Sequence, residues 1–167
     1  IDIIPEFNLY EEFWKIYTKT DIIPPQYISA EAVVERSIIG EGSEIHGEVY
    51  NSVIGPGVVI KKGSVVRNSI IMKQSFIGEN VTIDKAIIAE NVTVGNNVVM
   101  GVGEDVPNKE KPRVYSFGLV TIGENSVIPA DVRIGINTAI VGETTPEDYP
   151  DGELASGETL NKEGETA

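Results

Sequence analysis

Side chains able to carry out acid–base or nucleophilic chemistry are scarce in this sequence. The chain has one histidine, His46, and no cysteine. A histidine between Ile45 and Gly47 can serve as the general base of an acyl transfer, or it can occupy a turn for structural reasons. One histidine excludes a zinc site built from three. No Walker loop, GxSxG or HExxH motif is present, so the residues by themselves define no active site.

Three basic residues form a second candidate site. Lys109, Lys111 and Arg113 lie close together in residues 101–118, a segment that lacks the periodicity of its surroundings. Insertions in repeat proteins project from one face, which is often the binding face. We therefore predict an anion site at these three residues, Lys109, Lys111 and Arg113. The alternative is a solvated loop without a ligand.

The charge balance limits the classes of partner. The chain has 26 acidic against 13 basic residues, for a net charge of −13. Nucleic acids and anionic membranes are bound by basic patches, so we expect neither as a partner. The sequence shows no signal peptide and no apolar run of about 18 residues, and we expect a cytoplasmic protein. An apolar fraction of 41% is sufficient for the core of one domain.

The candidate residues lie in a sequence that repeats. Four tetrads of a polar, a small and two aliphatic residues begin at Arg36, Asn51, Asn68 and Lys85, with spacings of 15, 17 and 17 residues. Between them aliphatic residues recur every six positions. The nine members that define the period are Ile54, Ile60, Val66, Ile71, Ile77, Ile83, Ile88, Val94 and Met100.

A period of six that is grouped in threes predicts a coil with three flat sides. Each side is a short strand that turns one aliphatic residue inward, and the coils bury these residues by stacking about 4.8 Å apart. The predicted fold class is therefore mainly β, a parallel β-helix. Glycines follow several of the aliphatic residues, as at Gly40 and Gly55, and we expect them to supply the unusual backbone angles of the corners.

Charged residues support a 17-residue coil, because positions 17 apart lie one above the other. Three pairs of opposite sign have this separation. They are Lys62 with Glu79, Arg67 with Asp84, and Lys73 with Glu90. Each exposed pair stabilises the fold by no more than about 1 kcal/mol, so their value is as evidence for the register.

The ends of the chain lack the repeat. Residues 1–28 form a predicted connector with a short N-terminal helix capped by Asn8. Residues 29–142 form the β-helix, and residues 143–167 form an acidic capping tail whose last ten or so residues are expected to be disordered. The apolar face of the connector is predicted to dock on another domain through Leu9, Phe13, Trp14, Ile16 and Tyr17.

The chain resembles the C-terminal domain of the glucose-1-phosphate adenylyltransferases, the ADP-glucose pyrophosphorylases of bacterial glycogen synthesis. The resemblance covers nearly the whole chain and is most specific where the connector precedes this order of tetrads. It is carried by EFNLYEEFWKIYT (6–18), IIPPQYI (22–28), NSVIGPGVVI (51–60), NSIIM (68–72), AIIAENVTVG (86–95) and SFGLVTIGENSVIPADVRIG (116–135). It looks most like the catalytic-type subunit of Gram-positive bacteria.

The resemblance implies a left-handed β-helix that contributes to regulation and to dimer or tetramer contacts. In the family a separate nucleotidyltransferase domain binds ATP, Mg²⁺ and glucose 1-phosphate and makes ADP-glucose and pyrophosphate. The chain itself is then expected to be inactive and to hold no cofactor. Its expected partners are its own catalytic domain and either identical or paired subunits.

Two departures bear on regulation. Ser116 stands where plant-type members have an activator lysine, and Glu90 stands near an arginine of members activated by sugar bisphosphate. Both departures remove positive charge that a phosphorylated activator needs. We therefore expect a weakly regulated parent enzyme, or one that is regulated through Lys109, Lys111 and Arg113.

Two alternatives remain open from the residues alone. The chain can be an independent hexapeptide acyltransferase with His46 as its base, or a non-catalytic structural subunit of the same complex.

Overall fold

The computed structural model describes residue 13 and residues 22–162. The predicted connector helix, with Leu9, Trp14, Ile16 and Tyr17, lies outside the described residues. In the described part, twenty short strands wind into a parallel β-helix with three sheets, and only two single-turn 3₁₀ helices interrupt them, at Pro146–Asp148 and Pro150–Gly152. No helix in this part is long and apolar enough to cross a membrane.

Each sheet collects every third strand. Sheet 1 contains β1 (Tyr27–Ile28), β4 (Glu44–Ile45), β7 (Val59–Ile60), β10 (Phe76–Ile77), β13 (Thr93–Val94) and β16 (Val127–Ile128). Sheet 2 contains β2 (Val33–Glu35), β5 (Glu48–Tyr50), β8 (Val65–Arg67), β11 (Thr82–Asp84), β14 (Val99–Met100), β17 (Arg133–Ile134) and β19 (Glu153–Leu154). Sheet 3 contains β3 (Ile38–Ile39), β6 (Val53–Ile54), β9 (Ile70–Ile71), β12 (Ala86–Ile88), β15 (Val120–Ile122), β18 (Thr138–Val141) and β20 (Thr159–Asn161).

The predicted period describes the core. All nine aliphatic residues that define it are at most 1% exposed. They stack in register through the coils, for example Ile54 on Ile71 and Ile71 on Ile88. Each aliphatic residue is thereby covered above and below by its equivalents, which is how a narrow solenoid builds a continuous core. The mainly β, parallel β-helix is confirmed, and its hand stays a prediction.

The glycines after the aliphatic residues have a different role from the expected one. Gly40 and Gly55 do not adopt positive φ. A Cβ at Gly40 would lie 2.6 Å from the nitrogen of Pro56, and one at Gly55 would lie 2.8 Å from the nitrogen of Lys73. These positions therefore need glycine because the next coil passes too close. Many of the positive φ values occur at asparagines, such as Asn51 and Asn68, which tolerate this region better than most residues.

The solenoid ends later than the predicted boundary at residue 142. Strands β19 and β20 pair with β17 and β18, so residues 153–161 form a last coil rather than a tail. This also corrects the expected disorder for residues 159–161, while residues 163–167 lie outside the described part. Leu154 and Leu160 supply the inward positions of this coil, but the many acidic and small residues around them obscured the period.

Residues 143–152 take the place of the sheet-1 strand in the last coil. They contain both 3₁₀ helices and bring Tyr149 into the core, where it is 3% exposed. The Tyr149 hydroxyl lies 2.6 Å from Thr144 Oγ1, and Lys162 forms an ion pair with Asp148 at 2.8 Å. This segment closes the C-terminal end of the core, as solenoids require.

Candidate functional site

A shortened corner creates a notch in the side of the solenoid. Between sheets 1 and 2, the first and third coils have four corner residues, 29–32 and 61–64, whereas the second has only His46 and Gly47. The two missing residues leave a gap between the neighbouring corners. The resulting cavity of about 320 Å³ is lined by Ser29, Ala30, Glu31, His46, Lys61, Lys62 and Glu79.

An ion pair bridges this notch. Lys62 of the third coil reaches past the short second coil to Glu31 of the first, with 2.8 Å between Nζ and Oε2. The hydrogen bond from Lys62 lowers the pKa of Glu31. Both side chains are more than 70% exposed, so the pair contributes little to stability. Its effect is to place a cation and a carboxylate across the mouth of the cavity.

His46 forms part of the wall of the notch. Its Nε2 lies 3.7 Å from Glu44 Oε2, and its ring centroid lies 5.7 Å from that of Tyr27. These contacts orient the imidazole. Within the described residues, no group of three or more His, Asp or Glu side chains could hold a metal ion.

Gly47 is required for the shortened corner. A Cβ at this position would lie 2.3 Å from the Ser64 carbonyl oxygen, well inside van der Waals contact. We expect Gly47→Ala to lower the free energy of unfolding by about 1–3 kcal/mol, because the backbone of the next coil must move. Urea unfolding followed by circular dichroism measures this effect.

Gly123→Ala is the matched control for Gly47→Ala. Its Cβ would lie 3.2 Å from the side-chain methyls of Val141 and 3.4 Å from the nearest backbone atom, the Ile140 carbonyl oxygen. Equal losses of stability in the two variants would contradict a special role for Gly47.

The insertion is anchored to the C-terminal coils by Asn108. This side chain is 2% exposed. Its Nδ2 donates to the carbonyl oxygen of Asn137 and to Thr159 Oγ1, at 2.9 and 3.1 Å. Its Oδ1 accepts from the backbone N–H of Glu110 and Lys111. One amide therefore fixes the loop backbone on one side and the corner of the solenoid on the other.

The predicted anion site lies directly after this anchor. Lys109 forms an ion pair with Glu158 of the last coil, and its side chain remains 68% exposed. Lys111 and Arg113 are exposed on the turn that follows. The structure places the three bases on one short stretch of the surface. Lys109 already has a carboxylate partner, which an anion would have to displace.

Replacing Asn108 should release the insertion without unfolding the solenoid. In Asn108→Ala the two loop N–H groups and two solenoid acceptors lose their partner, at a cost of about 1–3 kcal/mol. We expect faster limited proteolysis within residues 101–119 and an unchanged rate elsewhere. Lys111→Gln removes a nearby charge but leaves the anchor in place, and it should not accelerate cleavage. Uniform acceleration along the whole Asn108→Ala chain would contradict this local role.

The outer surface of sheet 3 carries an apolar row. In the first four coils its outward positions are Ile38, Val53, Ile70 and Ile87, which are stacked in register. Ile70 is 43% exposed and the other three are half-buried. The double aliphatic tetrads of the sequence predict this row, because alternate residues of a strand point to opposite faces.

The predicted charge pairs are found in part. Lys73 forms an ion pair with Glu90 at 3.0 Å, as expected. Arg67 and Asp84 are register neighbours, but the Arg67 guanidinium lies over the ring of Tyr50, and Asp84 accepts from Asn68. The pairing of Lys62 with Glu79 is wrong, because the short second corner lets Lys62 reach Glu31 instead.

Of the predicted docking residues, only Phe13 is described, and it is 99% exposed. The notch was not predicted. Its signal was the 15-residue spacing between the first two tetrads, which is two residues shorter than the others.

Comparison with known proteins finds one matching family model and several similar enzymes of the same name. The family model for the GlmU-like, C-terminal hexapeptide matches residues 25–122. Glucose-1-phosphate adenylyltransferase of Lachnospira eligens is 63% identical over 99% of this chain, and that of Acetivibrio thermocellus is 44% identical over 99%. The enzyme of Thermotoga neapolitana is 54% identical over 93% of the chain. The chain spans only 37–39% of the length of these relatives.

Proposed function

The chain belongs to the GlmU-like C-terminal hexapeptide family, and from this premise we propose that it is the regulatory and oligomerisation domain of a glucose-1-phosphate adenylyltransferase. The observation that carries the proposal is the identity of 63% with one such enzyme over 99% of this chain. Because the match spans 39% of that enzyme, we assign the nucleotidyl transfer to the remaining part of the protein.

The reaction proposed for the whole protein joins ATP and glucose 1-phosphate to give ADP-glucose and pyrophosphate. The described residues of this chain contain no group of three or more His, Asp or Glu side chains that could hold a metal ion. We propose that ATP and Mg²⁺ bind in the part of the protein outside this chain. The domain then acts by holding subunits together and by transmitting the binding of an effector.

Regulation is proposed to involve the insertion. Lys111 and Arg113 are exposed basic side chains in a chain of net charge −13, and the buried Asn108 holds their loop against the last coils. An anion bound there would contact a segment that Asn108 and Lys109 attach to the last coil. Partners of the domain are proposed to be its own catalytic domain and further subunits of the same enzyme, in the cytoplasm.

An activity assay tests the proposal. The natural protein that contains this chain should form ADP-glucose from ATP and glucose 1-phosphate, whereas the 167-residue chain should form none. The chain should also fail to transfer acetyl groups from acetyl-coenzyme A, with or without His46→Gln. A longer protein without ADP-glucose formation, or acetyl transfer that disappears in His46→Gln, would overturn the proposal.

A further inference from the structure

We propose that the notch between sheets 1 and 2 binds a small hydroxylated anion, that is, a molecule in which hydroxyl groups lie beside a carboxylate or a phosphate. This inference goes beyond the proposed function, which assigns regulation to the insertion. The insertion connects sheet 2 to sheet 3, so the two sites lie at different corners of the solenoid.

The short second corner interrupts a ladder of backbone hydrogen bonds. In a four-residue corner the third residue donates its N–H to the carbonyl oxygen of the second residue one coil earlier, as Asn80 does to Lys62 at 3.2 Å. Gly63 and Ala30 hold these two positions on either side of the short corner. Neither the Gly63 N–H nor the Ala30 carbonyl has a hydrogen-bond partner within the described residues. A backbone donor and a backbone acceptor therefore face the notch from opposite sides.

Basic side chains accompany the backbone donor. Lys61 and Lys62 directly precede Gly63, and both line the cavity. Lys61 is half-buried, its ammonium lies 5.7 Å from the ring centroid of Phe76, and it forms no ion pair with a carboxylate in the described part of the chain. An anionic oxygen group can therefore accept from the Gly63 N–H and from Lys61 without displacing an existing ion pair. Such charge-assisted hydrogen bonds are about twice as strong as neutral ones.

The acceptors of the notch select the class of anion. Glu31 and Glu79 line the cavity, and ionised carboxylates can only accept hydrogen bonds. Two ammonium groups and two carboxylates line the notch, so a simple anion is attracted and repelled by equal numbers of charges. Hydroxyl groups beside the anionic group can donate to the carboxylates and to the Ala30 carbonyl. The arrangement therefore favours a hydroxylated anion over a simple one such as sulfate.

The dimensions of the notch limit the ligand to a small molecule. The gap replaces one strand layer, so the coils on its two sides lie about 9.6 Å apart, which is twice the usual strand spacing. The cavity volume of about 320 Å³ is at the lower end of the range for small-molecule sites, about 300–1,000 Å³. A hydroxy acid and a sugar phosphate both share the required chemistry.

Nuclear magnetic resonance titration of the isotope-labelled 167-residue chain tests the proposal. The probes are gluconate, glucose 1-phosphate, sulfate and glucose. At least one of the first two should bind about tenfold more tightly than sulfate and glucose, and the amide resonance of Gly63 should be among those that shift most. Tighter binding of gluconate supports a carboxylate ligand, and tighter binding of glucose 1-phosphate supports a phosphorylated one. If neither binds more tightly than sulfate, the proposal is overturned.

Lys61→Gln and Lys85→Gln form a matched pair of variants. Lys61 lines the notch, whereas Lys85 lies between strands of sheets 2 and 3. Lys61→Gln should raise the dissociation constant of the tighter probe about tenfold, because a charged donor is lost, and Lys85→Gln should leave it unchanged.

Two results would contradict the site in the notch. One is an unchanged affinity in a folded Lys61→Gln chain. The other is a set of largest resonance shifts at Lys109 and Lys111 of the insertion instead of at Gly63. None of these measurements depends on ADP-glucose formation, so this inference and the proposed function fail separately.

Discussion

Val66→Asp should prevent folding, whereas Val65→Asp should leave a folded protein. The two residues are neighbours in β8, and only Val66 points into the core, where it is fully buried. An aspartate there would place a carboxylate among aliphatic side chains, without a partner and without water. A loss of more than about 4 kcal/mol in the free energy of unfolding is exceptional, and burial of an unpaired charge is one of its few causes. Circular dichroism and urea unfolding distinguish the two outcomes.

Alanine variants of the same two residues are expected to stay folded, so the difference between them can be measured. Val66→Ala should lower the free energy of unfolding by about 2–3 kcal/mol, because two buried methyl groups are lost and the stacked coils above and below close the gap only partly. Val65→Ala should cost less than about 1 kcal/mol. Similar losses in the two alanine variants would contradict the register of the solenoid.

Stability should fall as the pH rises from about 10 to about 12, and much of the change should come from one residue. Burial raises the pKa of Tyr149 from 10.0 to about 12, so the fold favours its neutral phenol. The contribution is fully present below pH 10, where the phenol is neutral in both the folded and the unfolded chain. Between pH 10 and 12 the phenol ionises in the unfolded chain but stays neutral in the folded one. The ionisation stabilises the unfolded chain, so the contribution to folding is lost. Two pKa units correspond to about 2.7 kcal/mol.

Tyr149→Phe is the control that isolates this contribution. Phenylalanine keeps the ring in the core but does not ionise, although it gives up the contact with Thr144. The variant should be less dependent on pH above 10, with the difference measured by urea unfolding at pH 9 and 11.5. Parallel pH profiles for the two proteins would show that the phenol does not titrate during unfolding.

Sequence reasoning succeeded where a residue's role follows from its period. The six-residue spacing places Ile54, Ile60 and Val66 in the core, because a solenoid repeats one local structure and each coil faces nearly the same environment. The family resemblance was likewise visible in the order of the tetrads. Lys73 and Glu90 were paired because the coil length fixes which residues lie one above the other.

It failed where the repeat changes. The corner before Glu48 is two residues shorter than its neighbours, which opens the notch and lets Lys62 reach Glu31. Pairing residues 17 positions apart does not predict this contact, because it joins the first and third coils. The burial of Asn108 is not visible in its local sequence, since the solenoid residues that accept from its Nδ2 are 29 and 51 positions away. The role of Gly40 was misassigned because both close packing and positive φ favour glycine, and only coordinates separate the two.

Removing this chain from the natural longer protein tests most directly whether it holds the subunits together. The mass of the natural longer protein in solution should be compared with that of the same protein from which these 167 residues are removed. We predict an oligomer for the intact protein and a smaller species, by at least twofold in subunit number, for the shortened one. An unchanged number of subunits after the removal would contradict the account.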